Sequence, residues 1–111
     1  MTPIEQALLK LYGVTTSPVF SAPGASAGTT SAQVIRNSGN RLAFLFVNLS
    51  ASDIFIAPFP GVTSTFGIFV PPLGGSFYIS VLSDLILPSM EWYAIASAAG
   101  AKYFTVEQMA N

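Results

Sequence analysis

The sequence contains neither cysteine nor histidine. The absence of cysteine excludes disulfide bonds and thiolate metal ligands, and the absence of histidine removes the side chain that most often acts as a general acid or base. A Ser-His-Asp catalytic triad is excluded for the same reason. We therefore expect no metal site, no cofactor and no catalytic residue, and the chain is predicted not to be an enzyme.

Charged residues are also scarce: they occupy 8% of the 111 positions, with four basic and five acidic side chains and a net charge of −1. Proteins that bind nucleic acid or anionic membranes usually carry an excess of basic residues, which attracts these partners. Neither a nucleic acid nor a membrane is therefore expected as a partner. The five acids are scattered along the chain, so the sequence indicates no pair of catalytic carboxylates.

Long apolar runs are missing, although hydrophobic residues make up 51% of the chain. A helix that spans a bilayer needs roughly 20 consecutive apolar residues. The runs at 42–47 and 54–59 are far shorter and are bounded or interrupted by Asn or Pro. The first residues also lack the basic segment and apolar core of a secretory signal. Together with the lack of cysteine, these features favour synthesis in the cytosol.

The composition leaves a surface that is poor in charge. A small domain exposes a large fraction of its residues and normally needs charge to stay soluble and monomeric. Mean hydropathy is nevertheless +0.60, and nine charged side chains cannot cover such a surface. Large exposed apolar patches usually mark interaction sites, so the composition favours a subunit that assembles with other proteins.

The first residues predict a short helix. Thr2 is a candidate N-cap with Glu5 three residues later, which is the spacing of a capping box. Pro3 suits the first helical position, and Gly13 lies where a C-terminal cap belongs.

The predicted helix has an apolar stripe formed by Ile4, Leu8 and Leu11, with Tyr12 alongside. A helix of this length is marginal in isolation, so the stripe is expected to contact a second surface. Two surfaces are candidates, namely the sandwich of the same chain and a neighbouring subunit. Residues 14–32 follow as an uncharged linker rich in small residues, in which Val19 and Phe20 are expected to contact a surface. We thus divide the chain into a helix and extended arm at 1–32 and a β domain at 33–111.

From residue 33 onward, short runs with β-strand composition alternate with turn residues, at intervals of roughly ten residues. This spacing predicts a mainly β fold, an antiparallel sandwich of jelly-roll or immunoglobulin-like type with seven or eight short strands. Residues 49–52 are expected to close a hairpin, and residues 97–100 are expected to form a turn. Asn48, in an Asn-Leu-Ser tripeptide, is predicted to cap the hairpin with its amide. The predicted strands are 33–36, 41–48, 53–58, 67–70, 76–81, 91–96 and 102–108.

The aromatic residues are too numerous for one small core. Neighbouring pairs such as Phe77-Tyr78 place one ring on each face of a strand, so one ring of each pair must leave the core. Aromatic residues are favoured at protein interfaces. Binding of sugar to exposed rings is the alternative, with Trp92 or Tyr93 as the platform. The exposed interface aromatics are predicted to be Phe59, Phe66, Phe69 and Trp92.

Several segments carry a family resemblance. Residues 40–50 end in Asn-Leu-Ser and are followed by Ile-Phe-Ile-Ala-Pro at 54–58, then by 65–68 and by Pro-Leu-Gly-Gly-Ser-Phe at 72–77. In this order, and with 91–96 and 106–107 as closing strands, they resemble small β-sandwich structural proteins of tailed bacteriophages. The resemblance covers about residues 34–107, and the N-terminal helix and arm lie outside it.

The resemblance implies a virion protein synthesised in the host cytoplasm, such as a capsid decoration (cement) protein, a head fibre or a minor tail protein. Its expected partners are other virion proteins, either the major capsid protein or a tail protein, and further copies of itself in a homo-oligomer. The family supplies no catalytic residues. The alternative function is that of a carbohydrate-binding module for attachment to a host surface.

Overall fold

The computed structural model describes residues 3–13 and 15–111, apart from the side chains of Glu5, Leu8 and Tyr12. The predicted N-cap Thr2 lies outside these residues. Helix α1 covers Pro3–Tyr12, and Gly13 ends it in a left-handed conformation (φ 69°), with its N–H donating to the carbonyl of Leu9 at 2.9 Å. The predicted C-terminal cap is therefore confirmed. No described helix has the length and apolar character that crossing a membrane requires.

Residues 15–111 form nine strands, a short helix and one 3-10 turn. They are β1 (Thr16–Phe20), β2 (Ser26–Ala27), β3 (Ala32–Ile35), β4 (Arg41–Asn48), β5 (Ile54–Ala57), β6 (Ile68–Val70), β7 (Ser76–Ser80), α2 (Val81–Asp84), the turn Leu87–Ser89, β8 (Trp92–Ala96) and β9 (Ala101–Ala110). The seven strands expected between 33 and 108 are all present, with ends within two residues. The count of seven or eight strands was too low, because β1 and β2 precede them.

The strands form two antiparallel sheets. In sheet 1 the order is β1-β9-β4-β7, with β2 also paired to β9, and in sheet 2 it is β3-β8-β5-β6. The pairs are nested along the chain: β1 and β2 pair with β9, β3 with β8, β4 with β7 and β5 with β6. A mainly β, sandwich-like fold is thus observed, as the sequence predicted.

The predicted hairpin at 49–52 is absent, and the turn at 97–100 closes no hairpin either. Strands β4 and β5 lie in different sheets, and so do β8 and β9. Residues 49–52 and 97–100 therefore carry the chain from one sheet to the other. Asn48 holds the first crossing: its side-chain amide donates to the carbonyls of Ser52 (2.8 Å) and Val70 (3.1 Å) and accepts from the backbone N–H of Ser50 (2.9 Å). The capping role predicted for Asn48 is confirmed, but it stabilises a crossing between sheets.

The predicted linker at 14–32 is part of the sandwich from Thr16 onward. Strand β1 pairs with β9 over its whole length, and β2 pairs with the start of β9. The expected boundary between arm and β domain at 32/33 is therefore wrong for the sheet, which begins at β1. Pro18 is compatible with this strand because β1 is at the edge of sheet 1, where a missing N–H costs no ladder bond.

The core lies between the sheets. Phe44 and Phe46 of β4 are fully buried against Ile54 and Ile56 of β5 and Trp92 of β8. The rings of Phe44 and Trp92 meet edge to face, with centroids 5.3 Å apart. The predicted exposure of Trp92 is therefore wrong, since its side chain is only 1% exposed. In the Trp92-Tyr93 pair it is the tryptophan that enters the core, because its ring fills the space opposite Phe44.

Candidate protein-interaction surface

An apolar row crosses the outward side of sheet 1. Tyr78 of β7 lies directly opposite Leu45 of β4, Leu45 opposite Val106 of β9, and Val106 opposite Phe20 of β1. The two end residues are strongly exposed, Tyr78 at 63% and Phe20 at 59%, and the two central residues are partly exposed. We call these four residues the apolar row.

A second pair widens this surface. Val47 of β4 lies opposite Phe104 of β9, and the Phe104 ring stacks on Phe20 with centroids 6.1 Å apart. Among the outward positions of β1, β4, β7 and β9, all of which the structure describes, Lys102 at one end is the only charged residue. The outward side of sheet 1 is thus apolar and almost uncharged.

The sequence of β4 explains why both sides of this sheet are apolar. Residues 42–47 read Leu-Ala-Phe-Leu-Phe-Val, without the alternation of apolar and polar residues that suits a half-buried strand. A register shift between Arg41 and Ala43 leaves Phe44 and Phe46 inward and Leu45 outward. Continuous apolar strands are typical of sheets covered on both faces. Within the described part of the chain only the inward face of this sheet is covered. The outward face has the composition of a covered face but is open.

A second apolar surface follows β7 directly. Four large apolar residues between 81 and 86 are exposed, namely Val81 (41%), Leu82 (81%), Leu85 (76%) and Ile86 (70%). We call residues 81–86 the protruding segment. Leu85 has a left-handed backbone (φ 55°), which is unfavourable for a residue with a Cβ. The sequence analysis did not predict an exposed surface here. The run of apolar residues between two strands was the feature that could have indicated it.

The base of the protruding segment is held by a buried arginine. The Arg41 guanidinium donates to the carbonyls of Pro88 (3.1 Å), Met90 (3.3 Å) and Arg36 (2.7 Å), and its Nε donates to the Glu107 carboxylate at 2.6 Å. These bonds connect the chain after the protruding segment to β9 and to the residue after β3. The pair also places two of the nine charged residues in the interior, so the surface is poorer in charge than the composition indicates.

The predicted arm residues occupy different environments. In α1, Ile4 and Leu11 are 74% and 72% exposed, whereas the side chains of Leu8 and Tyr12 lie outside the described residues. Val19 is on the inward side of β1 opposite Glu107 and is partly buried, so it belongs to the sandwich.

The other predicted aromatics lie on the side of sheet 2. Phe66 (63% exposed) and Phe69 (50% exposed) are exposed as predicted. The ring of Phe59 packs on Phe66 with centroids 4.7 Å apart. These three residues therefore lie on the opposite side of the sandwich from Phe20, and the two groups do not form one surface. The structure also adds Leu45, Tyr78 and the protruding segment, which the prediction missed.

Two tyrosines among the described residues have raised pKa values. Burial raises the pKa of Tyr103, whose ring stacks on Phe46. Desolvation and the nearby Glu91 carboxylate raise the pKa of Tyr93. Both phenols therefore stay protonated at neutral pH. Residues 3–13 and 15–111 contain no group of three or more acidic, Cys or His side chains that would hold a metal ion.

Comparison with known proteins places the chain in no family. No protein-family model matches it, no curated protein is significantly similar in sequence, and no solved structure is significantly similar in fold.

Proposed function

We propose that this chain is a structural virion protein of a tailed bacteriophage, either a capsid decoration (cement) protein or another minor head or tail component. It is synthesised in the host cytoplasm and acts by packing against other virion subunits. The apolar row from Tyr78 to Phe20 is the observation that carries the proposal, because it leaves a sheet face uncovered and almost uncharged. Interface cores are depleted of charged residues in the same way.

We further propose that the sandwich is a jelly roll. The nested pairs, β1 and β2 with β9, β3 with β8, β4 with β7 and β5 with β6, are those made when one long hairpin is rolled into two sheets. In this interpretation β1 and β2 are two halves of one interrupted first strand. Jelly rolls are frequent in viral capsid proteins. One fold can host many functions, so the jelly roll supports the virion proposal only by analogy with capsid proteins and identifies no binding site.

The three exposed aromatic rings on this side supply part of the area that a specific interface needs. An aromatic side chain covers about 150–250 Å², so Phe20, Tyr78 and Phe104 together expose roughly 300 Å² at their fractional exposures. A standard interface buries about 800 Å² on each partner. The protruding segment and the apolar side chains of α1 extend the surface toward this value. Many copies on a symmetric shell add avidity to each modest contact.

The partners in this proposal are the major capsid protein or a tail protein, together with further copies of the chain. The test begins with particles purified from the lysate of the strain that carries the gene, analysed by mass spectrometry. We expect the chain as a stoichiometric component. Particles that contain no copy of the chain contradict the proposal.

A second step tests the surface. Particles made with Phe20→Ser and Tyr78→Ser together are expected to lose the chain, because the two exposed ends of the apolar row become polar. The matched control combines Phe66→Ser and Phe69→Ser, which changes two equally exposed rings on the side of sheet 2. Equal incorporation of both double variants would show that the apolar row is not the packing surface.

A further inference from the structure

A cavity of about 430 Å³ lies on the outward side of sheet 2. Its size falls within the range of small-molecule sites. Phe55 of β5 and Ile95 of β8, which lie directly opposite each other, line it together with Ala96. The outward side chain of Phe69 flanks Phe55, with ring centroids 5.3 Å apart.

The rim of the cavity carries hydroxyl groups. Thr63 and Ser64 come from the loop between β5 and β6, Ser97 follows β8, and Thr29 precedes β3. The backbone N–H of Asp53 donates to the Ser97 hydroxyl oxygen at 3.0 Å, so the hydroxyl proton stays free to donate to a ligand. None of the described residues that line the cavity has a charged side chain.

The walls of the cavity are ordered by contacts within the chain. The β5–β6 loop is closed by two hydrogen bonds between Thr63 and Phe66, at 3.2 and 3.1 Å. Gly67 is required there because a Cβ would lie 2.6 Å from the Val62 side chain. On the opposite wall, the backbone N–H of Ala96 donates to the carbonyl of Gly28 at 2.8 Å, which fixes the segment that carries Thr29. The site is therefore largely formed before any ligand binds.

The geometry points to a binding site for a neutral hexopyranose, placed on the side of the sandwich opposite the apolar row. A pyranose has one face of C–H groups, which suits the ring of Phe55, and a rim of hydroxyls, which suits the Ser and Thr side chains. A purely apolar ligand would cut the hydroxyl groups at the cavity off from water and offer them no hydrogen bond, which is costly. A charged sugar or a phosphate would find no basic side chain in the cavity.

This inference goes beyond the proposed virion role and uses a different site from the Trp92 or Tyr93 platform considered from the sequence, since neither residue lines the cavity. Trp92 is buried in the core, so it is not available to a sugar. If the apolar row attaches the chain to a larger assembly, the cavity faces away from the attachment surface, since the two lie on the outward sides of opposite sheets. Repeated copies would then present many weak sugar sites, which act together through avidity.

The test is titration of the full chain, labelled with ¹⁵N, with methyl glycosides of glucose, galactose, mannose and N-acetylglucosamine, followed by NMR. We expect at least one glycoside to bind with a millimolar dissociation constant and to shift the signals of residues around Phe55, Ser64 and Ile95. Glucuronic acid and a short alkyl alcohol serve as the charged and apolar comparison ligands.

The variant for this test combines Thr29→Val and Ser64→Ala, which removes two exposed hydroxyls with little change in shape. We expect an affinity loss of about tenfold, because each neutral hydrogen bond contributes about 0.5–1.5 kcal/mol. The matched control is Tyr78→Ser on the opposite side, which leaves affinity unchanged. The inference is overturned if no neutral glycoside binds, if the shifts map outside the cavity, if the comparison ligands bind more tightly, or if the double variant binds like the unmodified chain. These results do not depend on whether the chain is found in virions.

Discussion

The Nε of Arg41 donates a hydrogen bond to Oε1 of Glu107 over 2.6 Å, and both side chains are buried at 0% and 7% exposure. The same guanidinium donates to three backbone carbonyls, including that of Pro88. Arg36 lies 3.8 Å from the same carboxylate but is 60% exposed. One acid thus interacts with two arginines in very different environments, which allows a matched comparison.

Arg41→Met is expected to lower the free energy of unfolding by about 3–5 kcal/mol, because it leaves a buried carboxylate without its main partner. Arg36→Met makes the same chemical change at the exposed arginine and is expected to cost less than about 1 kcal/mol. Urea unfolding followed by circular dichroism measures both values. Equal losses for the two variants would contradict the assignment of Arg41 as the partner that compensates the burial of Glu107.

Asn48 is expected to stabilise the segment at 49–52, which crosses from one sheet to the other. Its amide is fully buried and bonds to the backbone of Ser50, Ser52 and Val70. Asn48→Ala removes these buried hydrogen bonds and should cost about 2 kcal/mol or more. Asn37→Ala, at an exposed position, is the control and should change stability by less than about 0.5 kcal/mol. The same urea measurement applies, and a neutral Asn48→Ala variant would refute the capping role.

Trp92 is the only tryptophan and reports on the core. Its ring is buried against Phe44 and Phe77, and its indole N–H donates to the carbonyl of Leu87 at 2.9 Å. The native protein should show blue-shifted fluorescence that moves to the red on unfolding. Trp92→Phe should cost about 2 kcal/mol, because it removes buried volume and a hydrogen bond. Tyr93→Phe is the neighbouring control, with a change below about 1 kcal/mol. A red-shifted native emission would place Trp92 at the surface.

Substitutions in α1 distinguish the two surfaces that its apolar stripe was expected to contact. Ile4→Ser and Leu11→Ser together should change the free energy of unfolding by no more than about 0.5 kcal/mol, since both side chains are exposed. The same double variant should reduce the mass of any oligomer measured by light scattering. Gln6→Ser, also exposed, is the control.

A large loss of stability in that double variant would instead indicate that α1 packs on its own sandwich. Point substitutions are preferable to removing residues 1–32, because that deletion takes β1 and β2 out of sheet 1.

Positions of the strands could be predicted from the sequence because local chemistry decides them. Apolar and β-branched runs separated by Gly, Pro, Asn and Ser mark where a strand begins and ends, and the seven strands expected between 33 and 108 were found. The alternation of side chains also predicted correctly that one ring of Phe77-Tyr78 would leave the core. Local chemistry does not say which ring of the Trp92-Tyr93 pair does so, since both faces of a strand are available until a second sheet covers one of them.

The sequence by itself thus determined the mainly β class, the positions of the seven strands from β3 to β9, the short N-terminal helix and a surface poor in charge. Tertiary structure alone decided which strands pair, because a short turn such as 49–52 joins two strands of one sheet as readily as it connects two sheets. It also decided that β1 joins sheet 1 although Pro18 interrupts its sequence, since only the position of a strand at an edge makes the missing N–H harmless. Tertiary structure also decided the apolar row. Its four residues are far apart in the sequence and become neighbours only through the register of four strands, namely Tyr78, Leu45, Val106 and Phe20.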